Sequence, residues 1–481
     1  METMTTLPKV KLPGGKTITL NSQQAEALDL MKAWIEDPNA LYFTLSGYAG
    51  TGKTTIMNEL VKYFNKRQDS HNKNTKIWER VRGICVSAPT HKAKKVIARA
   101  TGIDAYTIQK LLGLRPNTEL ETFDINNPQF DEMAEKEIAS HALVIIDEAS
   151  MLNSSLFDLL LLEAEEAKTK ILFMGDEAQL PPVGESISRI FTHVTNSVRL
   201  TKVERQADGN PLMEVYDRIR GDIKSSADQF SHISNVNAKG EGIQFHTEQS
   251  KFEAEVLPLF ASEEYRKDPD LIKLLTYMNA SVRIWNTQIR NHVFGDDAKE
   301  PLLQGEILFA YNTVVKDFTD IMIENSADYR VDSIEPKTIE GIDVYYTRLR
   351  SVDENRLSFV NIVRKSGLPK FIQKFTFLLS TAKVAVGQKR GIAWKRYYQF
   401  KNNNLLLQDI KESSGKLLVK KDLDYGYAIT VHKSQGSTFT NVAVSETNID
   451  RNPNTEERNK LKYVAFSRPT NKAIVFTNKT E

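Results

Sequence analysis

The 481-residue chain carries a single cysteine, Cys85, which excludes an internal disulfide and with it any small cross-linked scaffold. Long apolar stretches are missing too. No unbroken run of Ala, Val, Ile, Leu, Met, Phe, Trp, Tyr or Cys exceeds five residues, against the ~18 needed to span a bilayer. Met1 to Lys16 lacks the apolar core of a secretory signal, so a reducing, cytoplasmic location without membrane contact is expected. There is no fixed-period repeat and no low-complexity tract, which leaves solenoids aside. Net charge is only +2. What remains is an ordinary globular composition, 40% hydrophobic and 26% charged, with mean hydropathy −0.40. The length suggests roughly three domains.

The near-zero net charge conceals an uneven distribution. Asn361 to Lys421 holds 14 Lys/Arg against 2 Asp/Glu, whereas Pro116 to Glu166 holds 1 basic and 13 acidic residues. Within the basic stretch, Trp394-Lys395-Arg396-Tyr397-Tyr398-Gln399-Phe400-Lys401 interleaves cations with aromatic rings, a pattern that can neutralise phosphates and stack on bases. The same pattern also fits a solvated face whose aromatics point into a core.

Apolar spacing then gives the organisation. Residues 1–18 read as a flexible tail, and Ala25, Leu28, Met31 and Ile35 recur at helical spacing behind Asn21 and Ser22. Leu41 to Leu45, Gly83 to Ser87, Leu143 to Ile146 and Ile171 to Met174 are continuous apolar runs alternating with helices, as buried parallel strands do. The fold class expected is α/β, a doubly wound parallel sheet. Thr101 to Ala139 is a polar, acidic insertion. A second strand and helix alternation runs from Lys273 to Tyr277, is interrupted over Gly305 to Lys421 by β-like alternation, and returns at Ala428 to His432 and Tyr463 to Phe466.

The most specific signal is Gly47-Tyr48-Ala49-Gly50-Thr51-Gly52-Lys53-Thr54-Thr55, a G-x-x-x-x-G-K-[ST] loop set between a strand and a helix. Its glycines let backbone N–H groups close around phosphate oxygens, Lys53 reaches the β and γ phosphates of ATP, and the Thr54 hydroxyl is a ligand for Mg²⁺. Leu143-Val144-Ile145-Ile146-Asp147-Glu148 ends a strand in two acids. Asp147 suits the metal, and Glu148 suits a water attacking the γ phosphate. Gln179, after Gly175-Asp176, stands at another strand end where an amide can sense the γ phosphate. Arg205 and Arg468 are candidate arginine fingers. Pro89-Thr90-His91 opens a helix whose Thr90 hydroxyl and amides can hold a backbone phosphate.

Taken in order, Gln24, the lysine loop, Pro89-Thr90-His91, Asp147-Glu148, Gly175-Asp176-Gln179, Arg205, Val431-His432-Lys433-Ser434-Gln435-Gly436 and Ala465-Phe466-Ser467-Arg468 resemble the motif series of superfamily-one helicases, in the RecD-like branch that moves 5′ to 3′. The resemblance implies two RecA-like lobes and an ATP-dependent DNA helicase using Mg²⁺, acting in replication, recombination or repair. Its implied partners are single-stranded DNA, single/double-strand junctions and single-strand-binding or other replication proteins, and it implies a monomer. Gln24 then corresponds to an adenine-reading glutamine, and Thr90, His91, Thr107, His432 and Lys433 to strand contacts. The insertion after Thr107 is similar in place to a strand-separating pin, with Phe123 or Phe130 at its tip, and Gly305 to Lys421 to an SH3-like module with a projecting arm carrying Trp394. The domains expected are lobe 1 over 19–205, with the pin over 101–139, and lobe 2 over 206–304 and 422–481, interrupted by the module at 305–421. An RNA motor, or a single-strand-binding ATPase without unwinding, would use the same residue types.

Overall fold

The computed structural model describes residues 7–11, 17–72, 82–114, 136–182, 184–203, 209–225, 230–316, 320–412 and 414–479. Residues 115–135 of the segment expected to form the pin, with Phe123 and Phe130, and the loop holding Arg205 lie outside the described residues; 105–107 of that segment is a strand of the first sheet.

Two parallel sheets dominate. The first runs, edge to edge, Ala105–Thr107, Gly83–Ala88, His141–Ile146, Lys170–Gly175, Tyr42–Gly47 and Ser197–Leu200, every neighbour parallel. The second runs Ala428–Thr430, Ile272–Thr276, Phe439–Ser445, Pro469–Phe476, Gly242–His246 and Asn235–Val236, parallel except for its last pair. The two orders correspond strand for strand over the first five positions, so each lobe is one doubly wound RecA-like unit. Central strands are buried on both faces, which is why Leu143 to Ile146 and Ile171 to Met174 read as unbroken apolar runs.

Helix starts are set by side-chain caps. Asn21 and Gln24 form a reciprocal capping box on the helix Ser22–Glu36, and Thr90 and Asn153 cap His91–Thr101 and Ser154–Ala167. The tail expected over 1–18 is ordered in part. Lys9–Lys11 pairs antiparallel with Thr17–Thr19, and Val10 is buried among the apolar side chains of the first lobe, a contact too short in sequence to leave a periodic trace. Tyr463 to Phe466 closes a helix, Thr455–Phe466, and the strand follows it at Pro469–Phe476.

Between the halves of the second lobe lies an antiparallel β module, ordered Leu357–Val363, Ile342–Ser351, Asp328–Ile339, Ile307–Ala310 and Leu423–Tyr425. From it project two helices, Leu368–Val384 and Gln388–Asn403. Phe371, Phe375, Tyr397 and Phe400 interlock between them, with ring centroids 5.3–5.7 Å apart, so the aromatics of the basic stretch largely form the hairpin's own core. Lys395 and Arg396 remain on its exposed face.

Candidate nucleotide site and strand-facing surface

The lysine loop bends as its glycines allow. Gly50 and Gly52 have φ of +83° and +84°, the left-handed region that L side chains avoid. A Cβ on Gly52 would lie 2.5 Å from the Gln24 amide nitrogen. That amide donates to the Thr51 carbonyl at 3.1 Å, so Gln24 is fastened to the loop. Thr51 is buried, its hydroxyl donating to the Tyr48 carbonyl, and a Cβ on Gly47 would strike that hydroxyl at 2.8 Å. Lys53 curls back over the loop, its Nζ donating to the carbonyls of Gly47 and Tyr48 at 2.6 and 3.1 Å. Thr54 is exposed in the first turn of the helix Lys53–Asn72, and Thr55 is half-buried.

Asp147 and Glu148 follow the strand His141–Ile146, and the Glu148 N–H donates to Asp147 Oδ1 at 2.9 Å. Burial raises Asp147 above its ordinary carboxyl range, against that bond and the nearby Lys53 ammonium. Glu148 is also raised, by burial and then by the Asp147 charge, with Arg468 and Lys53 opposing. Its φ is +50°, a strained position for a non-glycine residue. A carboxylate poised toward neutrality beside a cation is a suitable proton acceptor for water.

The second lobe closes on these groups. Gly436 is so close that a Cβ there would meet Thr90 Oγ1 at 3.3 Å and Glu148 Cγ at 4.0 Å. Gln435 donates to the Leu180 carbonyl at 3.4 Å. Arg468 is 6% exposed and held by the carbonyls of Val464 and Ser437 and by the Ser467 hydroxyl, its charge felt by Glu148. Gln179 is 7% exposed with a buried Oε1 that has no hydrogen-bond partner. Lys53, Asp147, Glu148 and Arg468 are therefore close enough to act on one another's charges where the lobes meet.

This set fits a nucleoside triphosphate: a glycine cradle that a Cβ would fill, and a lysine whose ammonium donates to loop carbonyls where phosphate oxygens would accept. Among the described residues no group of three or more His, Cys, Asp or Glu side chains gathers to hold a metal. The second lobe has no such loop. Its equivalent strand, Gly242–His246, leads into the helix Gln249–Ala261 through only Thr247 and Glu248, neither glycine nor lysine. A cavity of about 340 Å³ at this edge, reached by Met278, Trp285, Asn448, Arg451 and Phe476, is a separate feature from the cleft.

The expected strand contacts are placed unevenly. Pro89 and Thr90 are half-buried at the head of the helix His91–Thr101, Thr90 capping it through the Ala93 N–H at 3.2 Å. His91 is 5% exposed, 3.6 Å from Glu324 of the β module; burial, against the pull of Glu324, lowers its imidazole to about 4. Thr107 caps a short helix through the Lys110 N–H. His432 and Lys433 are half-buried in the turn after Ala428–Thr430, His432 beside the Tyr277 ring at 6.4 Å. Trp394 is half-buried and stacked on Tyr398, with centroids 5.7 Å apart, inside the helical hairpin. Sequence reasoning missed Tyr463 and Arg220, which reach the lysine loop from the second lobe; neither stands in a pattern that spacing alone distinguishes.

Comparison with known proteins places this geometry. Residues 19–240 match an AAA domain family, and residues 425–476 match the UvrD-like helicase C-terminal domain. An uncharacterised protein of Acanthamoeba polyphaga mimivirus, R530, is 25% identical over 93% of this chain and 98% of its own length. The ATP-dependent DNA helicase Dda of phage T4 is 26% identical over 62% of each chain, and the RecD2 DNA helicase of Deinococcus radiodurans 31% identical over 33% of this chain and 20% of its own. The chain is thus similar to RecD- and Dda-type DNA helicases. The chain spans 62% of the length of Dda and 20% of RecD2. Among the described residues, no helix of this chain is long and apolar enough to cross a membrane.

Proposed function

We propose that this protein is an ATP-dependent DNA helicase that moves 5′ to 3′ along single-stranded DNA and opens duplex ahead of it. The observation that carries the reading is the cleft itself: the Arg468 charge of the second lobe acts on Glu148 of the first, and the second-lobe Tyr463 hydroxyl accepts from the Ala49 N–H of the lysine loop. Such an interface couples phosphate chemistry to lobe closure.

In this reading the lobes comprise 19–205 and 206–304 with 422–481, and 305–421 is the inserted module. Gln24 reads the adenine, Gly47, Gly50, Thr51, Gly52 and Thr55 shape the phosphate cradle, and Lys53 leaves its carbonyls for the β and γ phosphates. Thr54 and Asp147 hold Mg²⁺, which when bound shields phosphate charge. Glu148 accepts the proton of the attacking water, Gln179 orients at the γ phosphate, and Arg468, with Arg205, stabilises charge spreading in the transition state. Pro89, Thr90, Thr107, His432 and Lys433 line the strand, so that opening and closing of the cleft passes it from one lobe to the other.

The test is unwinding of partial duplexes carrying a 5′ or a 3′ single-stranded tail, with ATP and Mg²⁺ and with Lys53→Ala beside the wild type. The expected result is unwinding from the 5′ tail only, abolished in Lys53→Ala. Unwinding from 3′ tails alone, or unwinding that survives Lys53→Ala, overturns the reading.

A further inference from the structure

The lysine loop is held from both lobes. Tyr48, its second residue, is 5% exposed and belongs to the apolar core of the second lobe, alongside Leu212, Val215 and Tyr463. Its ring lies 4.2 Å from the Arg220 guanidinium, on the second-lobe helix Leu212–Ser225, and 5.3 Å from that of Arg199, on the first-lobe strand Ser197–Leu200. Arg199 also donates to the Tyr48 hydroxyl at 3.1 Å. Arg220 is 6% exposed, with a buried Nη1 that has no hydrogen-bond partner.

One residue farther along the loop the contact becomes polar. The Ala49 N–H donates to the Tyr463 hydroxyl at 3.3 Å, and that hydroxyl donates to Asp176 Oδ2 at 2.6 Å. Tyr463 is fully buried, and Asp176, 1% exposed, accepts the Ala178 N–H with its other oxygen at 2.9 Å. A single second-lobe hydroxyl thus joins the phosphate loop to the strand end that leads to Gln179. Both bonds cross the cleft, so both exist only while it is closed.

We propose that Tyr463 is a positioning residue for hydrolysis, its hydroxyl locking Ala49 and Asp176 into the hydrolytic arrangement when the lobes meet, with Arg220 on Tyr48 as the apolar and cationic half of the same clasp. The inference rests on the helicase reading above and adds to it the device by which closure is registered at the phosphate loop. ATP binding needs the cradle of the first lobe alone and is therefore independent of the clasp. The hydrolytic step needs the closed cleft and depends on it.

The test is steady-state ATP hydrolysis on single-stranded DNA by the full chain carrying Tyr463→Phe, Asp176→Asn or both, with Lys53→Ala beside them and thermal unfolding recorded for each. Tyr463→Phe keeps the buried ring and removes only the hydroxyl. The expected result is a fall in kcat of about tenfold or more, with the KM for ATP and the Kd for single-stranded DNA within about twofold of wild type. The double variant is expected to be no slower than Asp176→Asn alone, because the hydroxyl acts through that carboxylate. An unchanged kcat in Tyr463→Phe, a KM that rises in proportion to the fall in kcat, or fully additive losses in the double variant overturns the inference. If Lys53→Ala hydrolyses ATP like wild type, the helicase reading fails instead, whatever Tyr463→Phe does.

Discussion

At the scale of single residues, the cleft is a set of groups whose ordinary behaviour has been altered by burial. Glu148 combines a left-handed backbone, a raised carboxyl and a neighbouring Asp147, a costly arrangement that the surrounding structure must impose. Replacing Glu148 by Gln keeps the shape and removes the proton acceptor. Hydrolysis on single-stranded DNA is expected to fall by about 10²–10⁴-fold while binding of a fluorescent ADP analogue is kept; a fall below tenfold would assign the base elsewhere. The residues legible in the sequence are those whose chemistry demands one residue type at one spacing. Glycine at +84° before Lys53 has no substitute, whereas acids after a buried strand are common enough that Asp147 and Glu148 gain weight only beside the lysine loop. Tyr463 was illegible for the opposite reason: a tyrosine on a helix is usually core, and only the position of the other lobe turns its hydroxyl toward Ala49.

At the scale of elements, the helix Thr455–Phe466 carries the second lobe's contribution and is tied down by a buried ion network. Lys462 contacts Glu446 at 2.8 Å and Asp450 at 3.1 Å, His232 contacts Glu446 at 3.0 Å, and Arg458 and Lys479 approach Asp450. Burial opposes ionisation of Glu446, but the His232 bond and the Lys462 charge prevail and hold its carboxyl down to about 2. The folded value lies below the unfolded one, so the contribution is fully present above about pH 4.5 and is lost as pH falls toward 2. It is on the order of 3 kcal/mol. Glu446→Gln is expected to be less stable than wild type in urea at pH 7, with the gap narrowing at pH 3; an equal gap at both values would contradict the assignment.

The same scale shows what periodicity concealed. The basic stretch around Trp394 reads equally as a nucleic-acid surface and as a core. The helices Leu368–Val384 and Gln388–Asn403 resolve it by pairing Phe371 and Phe375 with Phe400 and Tyr397 and leaving the cations outside. The helical spacing of those four aromatics was present in the chain, but the excess of Lys and Arg dominated the pattern. His91 is a similar case. Its neighbours in sequence suggest an open phosphate contact, and only the β module, more than 200 residues away, supplies the Glu324 that covers it.

For the molecule as a whole, two sheets of matching strand order carry unequal chemistry: the first lobe holds the phosphate loop and the two acids, and the second holds Arg468, Tyr463 and Gly436. The alternation of buried strands announced both lobes, because a strand covered on both faces must be apolar throughout. Their mutual placement was not written in any local pattern, since long-range closure depends on surfaces contributed by Leu180, Tyr48 and the helix Leu212–Ser225 together. The most direct measurement of the central claim, that ATP is cleaved between the lobes with help from the second, is single-turnover ATP hydrolysis on single-stranded DNA by Arg468→Ala, with ATP affinity measured in parallel. The account predicts a loss in rate of about 10³-fold with affinity nearly unchanged. A rate equal to that of the wild type would contradict it.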